Sequence, residues 1–377
     1  MAGGALGPGV TASSSDRIAR AFQSHPVPLS LSIARGPLPD EELDAIAATY
    51  GNLDPRYAAR EFCRLVFNDN PLGYSFHAFV RDGDRVVGHY AVIPMRTRAR
   101  GATVVSGKGE GLFIAESHRR SAIATPEGEV PTAIALMEAV HEHVLAEGVA
   151  VIHNITTPQV GMLTRMLGFH VLTVWRDQIQ FLITPPPHRT YRAWGARLVS
   201  VAQRALLATA RAGLLLTAAP AVEVNPPAHT DRHLSALAGM DPGSAVATWS
   251  ISRDLDTLRW LRRVGRLRIV SVAGRPDHFA IMTTGNSREL LLWNVPDGAL
   301  RSGLAVACAL LVGSAREGAQ SVSTTPQLAA AGGRSLGFVL RMLAFLPRRV
   351  SVVIYAKSTD PFYLQAANVD FSRIFNL

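Results

Sequence analysis

Thr156-Thr157-Pro158-Gln159 followed by Leu167-Gly168-Phe169, and again Thr324-Thr325-Pro326-Gln327 followed by Leu336-Gly337-Phe338, is the pattern that decides how this chain folds. Upstream of each copy a helical segment ends in Glu-Gly, at Glu147-Gly148 and at Glu317-Gly318. The order helix, Gly, strand, Thr-Thr-Pro-Gln, short helix, Leu-Gly-Phe therefore occurs twice. Each tetrapeptide alone is a weak signal, but the shared order predicts duplication of a whole domain and not a solenoid.

Composition agrees with that reading. The 377 residues suffice for two domains with their own cores. Hydrophobic residues make up 48% of the chain, which excludes the disordered and fibrous classes. Residues 1–28, rich in Gly, Ala and Ser, read as unstructured. They lack an apolar run behind a basic start, so no secretory signal is expected; Arg17 and Arg20 leave organellar targeting as the alternative. Cys63 and Cys308 fall in predicted helices of different halves, which suits a reducing compartment and not a disulfide framework. The net charge of +9 points to an anionic partner: a phosphate-bearing cofactor, an acidic lipid surface or nucleic acid. No zinc finger, helix-turn-helix or aromatic RNA-binding signature is present, so nucleic acid is not expected.

Periodicity gives the first domain, residues 29–184, the order ααβββαβαββ. Pro39-Asp40-Glu41-Glu42 opens one helix and Pro55 a second. Residues 75–80 and 85–92 form a hairpin about Arg81-Asp82-Gly83-Asp84, and Pro94 either limits the second strand or marks a bulge. Residues 109–114 are a short strand and 131–147 a long helix with Ile134, Met137, Val140 and Val144 on one face. Then come a strand at 149–155, a short helix at 158–167 and two closing strands within 170–183. Residues 185–228 read as a Pro-bounded linker with a basic amphipathic helix, in which Arg197, Arg204 and Arg211 recur every seventh residue. That helix, within 189–217, either packs on the protein or lies in a membrane surface; it is too charged to span a bilayer. The second domain, 229–377, repeats the order more crudely and ends in a tail with Phe362, Tyr363, Phe371 and Phe375 as anchors.

The strand, basic loop and long helix at 110–147 resemble the acyl-CoA-binding core of the GNAT superfamily of N-acyltransferases. The resemblance covers the first domain in element order and is carried most specifically by Glu110-Gly111-Leu112-Phe113-Ile114-Ala115-Glu116-Ser117-His118-Arg119-Arg120-Ser121-Ala122-Ile123-Ala124. In that family an Arg/Gln-x-x-Gly-x-Gly/Ala loop turns its backbone amides to the pyrophosphate of CoA at a helix N-terminus. Here Arg119-x-x-Ala122-x-Ala124 has alanine in place of both glycines, and 125–130 is an extra stretch before Pro131.

The resemblance implies an α/β (α+β) fold of two GNAT-like domains, each a mixed, mostly antiparallel sheet flanked by helices, with a degenerate second copy. It implies acetyl-CoA or another acyl-CoA as co-substrate. The backbone at Leu112, Phe113 and Ile114 would orient the thioester carbonyl. Arg119, Arg120, Ser121, Ala122, Ile123 and Ala124, with 131–133, would hold the pyrophosphate, or Arg119 and Arg120 form a solvated basic turn. Asn154 would bond the pantetheine amides. Glu110 occupies the place of the family's strand carboxylate, the base that takes the amine proton. The family's acidic tyrosine is absent; Thr164 or its neighbour stands there, with His118, His153, Thr157 and Asn154 as substitutes. His118, Thr157 and Asp370 are the candidate acceptor contacts. His141 and His143 are expected at the surface, and no spacing suggests a metal.

The expected activity is transfer of an acyl group, acetyl first, to a primary amine of a sugar, amino acid or related metabolite. A long-chain or acyl-carrier-protein donor is the competing version, and a non-catalytic scaffold in a biosynthetic complex the alternative of another class. The expected location is the cytoplasm, or the inner membrane surface if 189–217 binds lipid.

Overall fold

The computed structural model describes residues 29–51, 53–126, 128–155, 158–182, 220–240, 248–319, 321–324 and 345–369. The stretches read as an unstructured N-terminus and a linker helix lie outside the described residues, as do the second Pro-Gln/Leu-Gly-Phe segment, Thr157 and Asp370.

The first unit begins with strand β1 (Ser30–Gly36), which the sequence reading had passed over. Its alternating Leu31 and Ile33 lie on an edge strand, so little burial marks it. Helix α1 (Asp40–Tyr50) starts with Asp40, Glu41 and Glu42, favourable at a helix N-terminus, and α2 is Arg60–Phe67. Strands β2 (Ser75–Asp82) and β3 (Arg85–Ala99) form the expected hairpin about Gly83, at φ 58°. β3 is longer than expected because Pro94 neither ends it nor bulges it. β2 has ended by then, and Pro94 stands opposite Gly107 of β4 (Ala102–Ile114).

β5 (Ala122–Thr125) and β6 (Gly128–Pro131) form a separate two-stranded hairpin. Then follow α3 (Thr132–Ala146), β7 (Val151–Asn154), α4 (Pro158–Met166) and β8 (His170–Leu182). β8 is one strand, not two. In the second unit come β9 (Val222–Val224, inside the stretch read as linker), α5 (Thr230–Gly239), β10 (Trp249–Ile251) and α6 (Leu255–Arg263). These are followed by β11 (Leu267–Val272), β12 (Arg275–Thr283), β13 (Ser287–Asn294), α7 (Leu300–Arg316), β14 (Ser321–Thr324) and β15 (Phe345–Lys357).

The duplication is visible in backbone geometry. α3 ends at Gly148 (φ 83°), whose N–H donates to Leu145 O at 3.1 Å, while Val149 N–H reaches Val144 O at 3.3 Å. α7 ends at Gly318 (φ 73°) with the matching bonds, Gly318 to Ala315 at 3.2 Å and Ala319 to Ser314 at 2.9 Å. Glycine is required at both stops because the left-handed conformation penalises a side chain. β7 then lies parallel to β4, and β14 parallel to β13.

The two units exchange their last strands. The sheet order is β1-β2-β3-β4-β7-β15-β8-β14-β13-β12-β11-β9, so β15 completes the first unit's sheet and β8 the second's. Among the described residues β8 pairs with β15 and β14 and with no strand of its own unit. On one face α3 covers a core that includes Val80, Val92, Leu136 and Val140, and α7 covers a second around Val270 and Val306. On the opposite face a single core runs across both halves, joining Tyr57, Phe67 and Phe113 to Trp249, Trp260 and Leu261. Trp260 Nε1 donates to Leu65 O at 2.8 Å, and Arg263 pairs with Asp69 at 2.8 Å. The tail returns to the first half: Tyr363 is buried and the Arg100 guanidinium lies 4.1 Å from the Phe362 ring.

Residues 1–184 expressed alone are therefore expected not to fold, because β8 has no partner and β7 loses one edge. Co-expression with 185–377 should restore one cooperative melting transition by circular dichroism. Cooperative melting of 1–184 alone would contradict the exchange.

Candidate functional site

β4 and β7 pair only from Ser106↔Val151 to Lys108↔His153 and then part. At the parting lies a cavity of about 460 Å³. Its walls come from both faces of the sheet: Tyr50, Asp54, Arg56, Lys108 and Glu110 on the α1 and α2 side, Tyr90, Met137, Asn154 and Val160 on the α3 and α4 side. The cavity thus runs through the sheet.

Alternation along β4 puts Lys108 and Glu110 on one face. Lys108 is buried and the Glu110 side chain is only 10% exposed; Lys108 Nζ pairs with Glu110 Oε2 while Tyr57 Oη–H donates to Oε1 at 2.9 Å. Burial alone would raise the Glu110 pKa, but the Lys108 charge and hydrogen bond, with the Tyr57 bond, outweigh it and hold the carboxyl below its usual range. Burial lowers the Lys108 ammonium, and Glu110 opposes that shift. Burial first, and the Glu110 charge second, push the phenols of Tyr57 and Tyr50 up.

The opposite wall is held by Tyr90. Its hydroxyl accepts from Asn154 Nδ2 at 3.4 Å and lies 3.1 Å from His141 Nε2. His141 is fully buried, not at the surface as expected from sequence, and burial, then Lys357, lowers its pKa to about 3. Asn154 Oδ1 is buried without a hydrogen-bond partner among the described residues, an acceptor open to a ligand N–H. Gly109 makes this wall possible: a Cβ there would lie 1.9 Å from Asn154 Oδ1 and 2.1 Å from Tyr90 Oη.

A register shift between His89 and Ala91 leaves Gly111 (φ 67°) and Leu112 as a bulge opposite Tyr90. Of the residues expected to orient a carbonyl, Leu112 lines the cavity, whereas Phe113 and Ile114 sit in the ladder opposite His89 and Gly88.

The expected pyrophosphate loop is not formed. Ala122, Ile123 and Ala124 are strand residues in the β5–β6 hairpin, and Ile123 is buried in the core. Ser121 is buried, and its carbonyl accepts both the N–H (3.1 Å) and the hydroxyl (2.9 Å) of Thr132, the first residue of α3. Alanines at 122 and 124 lack the left-handed freedom that glycines would give a cradle, and both lie in a strand. Arg119 and Arg120 are exposed, and Arg119 lines a separate cavity of about 830 Å³ with Thr49, Asp84 and Glu116.

His118, expected to touch substrate, is buried and bonded to Asp82 Oδ2 at 3.2 Å and Ser117 Oγ at 2.8 Å. Thr164 is also buried, and its hydroxyl donates to Gly161 O at 2.9 Å within its own helix, which leaves it no catalytic reach. His153 lies buried, with Ser106 Oγ 3.5 Å from Nε2. The structure thus joins Glu110, Leu112 and Asn154 at one cavity and removes 118–124 and 164 from it. Tyr57, Tyr90 and Lys108 escaped sequence reasoning. Lys108 alone carried a legible signal, two residues from Glu110 on a strand.

Each half thus carries a parallel strand pair, β4 with β7 and β13 with β14, joined through a long helix. Solved structures of similar overall arrangement include a GCN5-related N-acetyltransferase from Kribbella flavida, 13% identical over 88% of this chain and 72% of that one, with a TM-score of 0.46. A probable N-acyltransferase from Enterococcus faecalis is 10% identical over 87% and 73%, with a TM-score of 0.47. A tandem GNAT protein from the clavulanic acid biosynthesis pathway is 13% identical over 88% and 99%, with a TM-score of 0.43. Neither a protein-family model nor a curated protein matches the sequence.

Proposed function

We propose that this chain is an N-acyltransferase that moves an acyl group from a pantetheine thioester to a primary amine. The observation that carries the reading is the cavity through the sheet, with an ionised carboxylate on one side and an unsatisfied amide oxygen on the other. The thioester would supply an activated carbonyl. Asn154 Oδ1 would accept a pantetheine N–H, and the Gly111–Leu112 bulge would present backbone to the acyl group. Glu110 would bind the incoming ammonium from the opposite face. An ammonium has no lone pair, so the attacking species is the neutral amine, its first proton passing to solvent; Glu110, whose pKa Lys108 and Tyr57 keep low, then takes the second proton as the C–N bond forms and the nitrogen becomes far more acidic. The C–S bond then breaks, and the thiolate is a good leaving group that needs little help.

Acyl-CoA is the first donor. The β5–β6 hairpin in place of a phosphate cradle favours a second reading, pantetheine on an acyl carrier protein. The amine would be a small metabolite. No helix among the described residues is long and apolar enough to cross a membrane. Contact with a membrane surface through 189–217 remains a proposal attached to the long-chain version.

The reading is tested by thiol release from acetyl-CoA, a long-chain acyl-CoA and an acyl carrier protein in the presence of a panel of primary amines. Amine-dependent release from one of them is expected; none from any of the three would favour the scaffold alternative.

A further inference from the structure

Of the 38 lysines and arginines in this chain, only Lys108 and Lys357 are lysine. One of the two lines the cavity. Carboxylates elsewhere are paired by arginine: Glu42 by Arg81 at 2.6 Å, Glu147 by Arg35 at 2.8 Å and Glu317 by Arg288 at 2.7 Å, even though Arg288, like Lys108, is buried. A counter-charge for Glu110 therefore does not by itself call for lysine. What lysine offers and arginine does not is a side chain that can lose its proton and become a nucleophile.

The surroundings of Nζ fit that use. Lys108, opposite His153, is the last β4 residue paired with β7, so it stands where the two strands part. Nζ has two acceptors, Glu110 Oε2 and Gly109 O, the latter at 3.3 Å, and no third among the described residues. In the neutral amine those two bonds use both hydrogens and leave the lone pair unengaged. Leu112 of the bulge and Asn154, the groups assigned above to the thioester, line the same cavity. We infer that Lys108 is itself an acyl acceptor: when no amine is present, the bound thioester acylates Nζ, and the amide so formed blocks the site. The Nζ ammonium first loses a proton to solvent. Its lone pair then forms the C–N bond to the carbonyl carbon, and the C–S bond breaks with its electron pair on sulfur. Glu110 Oε2, already in contact with Nζ, takes the second proton, and the thiolate leaves to be protonated in solvent. Burial outweighs the Glu110 charge and lowers the Lys108 pKa, which enlarges the neutral fraction. The acyl group would then fill the cavity and strip Glu110 of its cation. An amide does not pass its acyl group on, so each event withdraws one molecule from turnover. The inference rests on the acyl-donor part of the reading above.

The experiment is incubation of the full chain with acetyl-CoA, S-acetylpantetheine and a long-chain acyl-CoA, each without amine, followed by mass spectrometry of the digested protein. Lys357, half-buried and outside the cavity, is a control within the same chain. Acylation from bulk solution would favour this more exposed lysine. With at least one donor, Lys108 should gain one acyl group at least about tenfold faster than Lys357, because a bound thioester is held beside it. Its rate should saturate with donor concentration, whereas that of Lys357 should rise linearly. Lys108 left unlabelled by all three donors, or labelled no faster than Lys357, overturns the inference. Labelling of Lys108 without amine-dependent thiol release upholds the inference and refutes transfer to a free amine. Amine-dependent release with Lys108 bare after incubation without amine does the reverse.

Discussion

Glu110→Gln is expected to lower kcat by about 10²- to 10⁴-fold, the usual contribution of a positioned general base, with donor affinity nearly unchanged. Glutamine keeps the shape and can still accept from the Tyr57 hydroxyl, but it cannot take the amine proton. It also leaves Lys108 without its counter-charge in a buried setting, which for an ion that stayed charged would cost about 3–5 kcal/mol. Burial already lowers the Lys108 pKa, so the ammonium can shed its proton and escape part of that cost. A melting curve must accompany the kinetics. Glu110→Gln/Lys108→Met, which removes both charges, should recover stability without recovering turnover. A folded Glu110→Gln protein with undiminished kcat would remove the proton-accepting role.

Acid should unfold this protein unusually early. His89, His141 and His153 are buried, and burial lowers each from 6.5 to about 3; His77 is shifted the same way. Above pH 6.5 these imidazoles are neutral in both states, and their contribution to stability is complete. Between 6.5 and 3 the unfolded chain binds protons that the folded chain refuses, so stability falls as pH falls. Each histidine contributes a slope of about 1.4 kcal/mol per pH unit, so three give about 4. Against a total stability of about 5–15 kcal/mol, the fold should be lost between about pH 5.3 and 3, depending on that total. Glu110 reinforces the trend, because a depressed carboxylate pKa also withdraws stability as pH falls. Urea unfolding at pH 7.5, 6.5, 5.5 and 4.5 measures the slope, and His141→Gln should flatten it by about a third. A constant unfolding free energy from pH 7.5 to 4.5 would contradict the buried-neutral assignment.

The duplicated order was legible because helix stops are written in glycine: Gly148 and Gly318 end equivalent helices in equivalent geometry. The Asp-Gly hairpin was legible for the same local reason. Strand exchange was not. β15 pairs with β8 across a sequence separation of well over a hundred residues, and nothing in either strand's pattern names its partner. Glu110 and Asn154 were found because a carboxylate in an apolar strand and an amide at a strand end break the local pattern. The loop at 119–124 was misread because its arginines kept the family spacing while its alanines had already changed the backbone to a strand. Tyr57 reaches Glu110 only through helix packing, which periodicity does not encode.

Calorimetric titration of the full chain with S-acetylpantetheine and acetyl-CoA tests the central claim most directly. The account predicts that both bind, that the two affinities lie within about tenfold because no phosphate cradle forms at 119–124, and that Asn154→Ala weakens both by about tenfold. Absence of binding by either thioester to the wild-type protein would contradict a pantetheine site between β4 and β7.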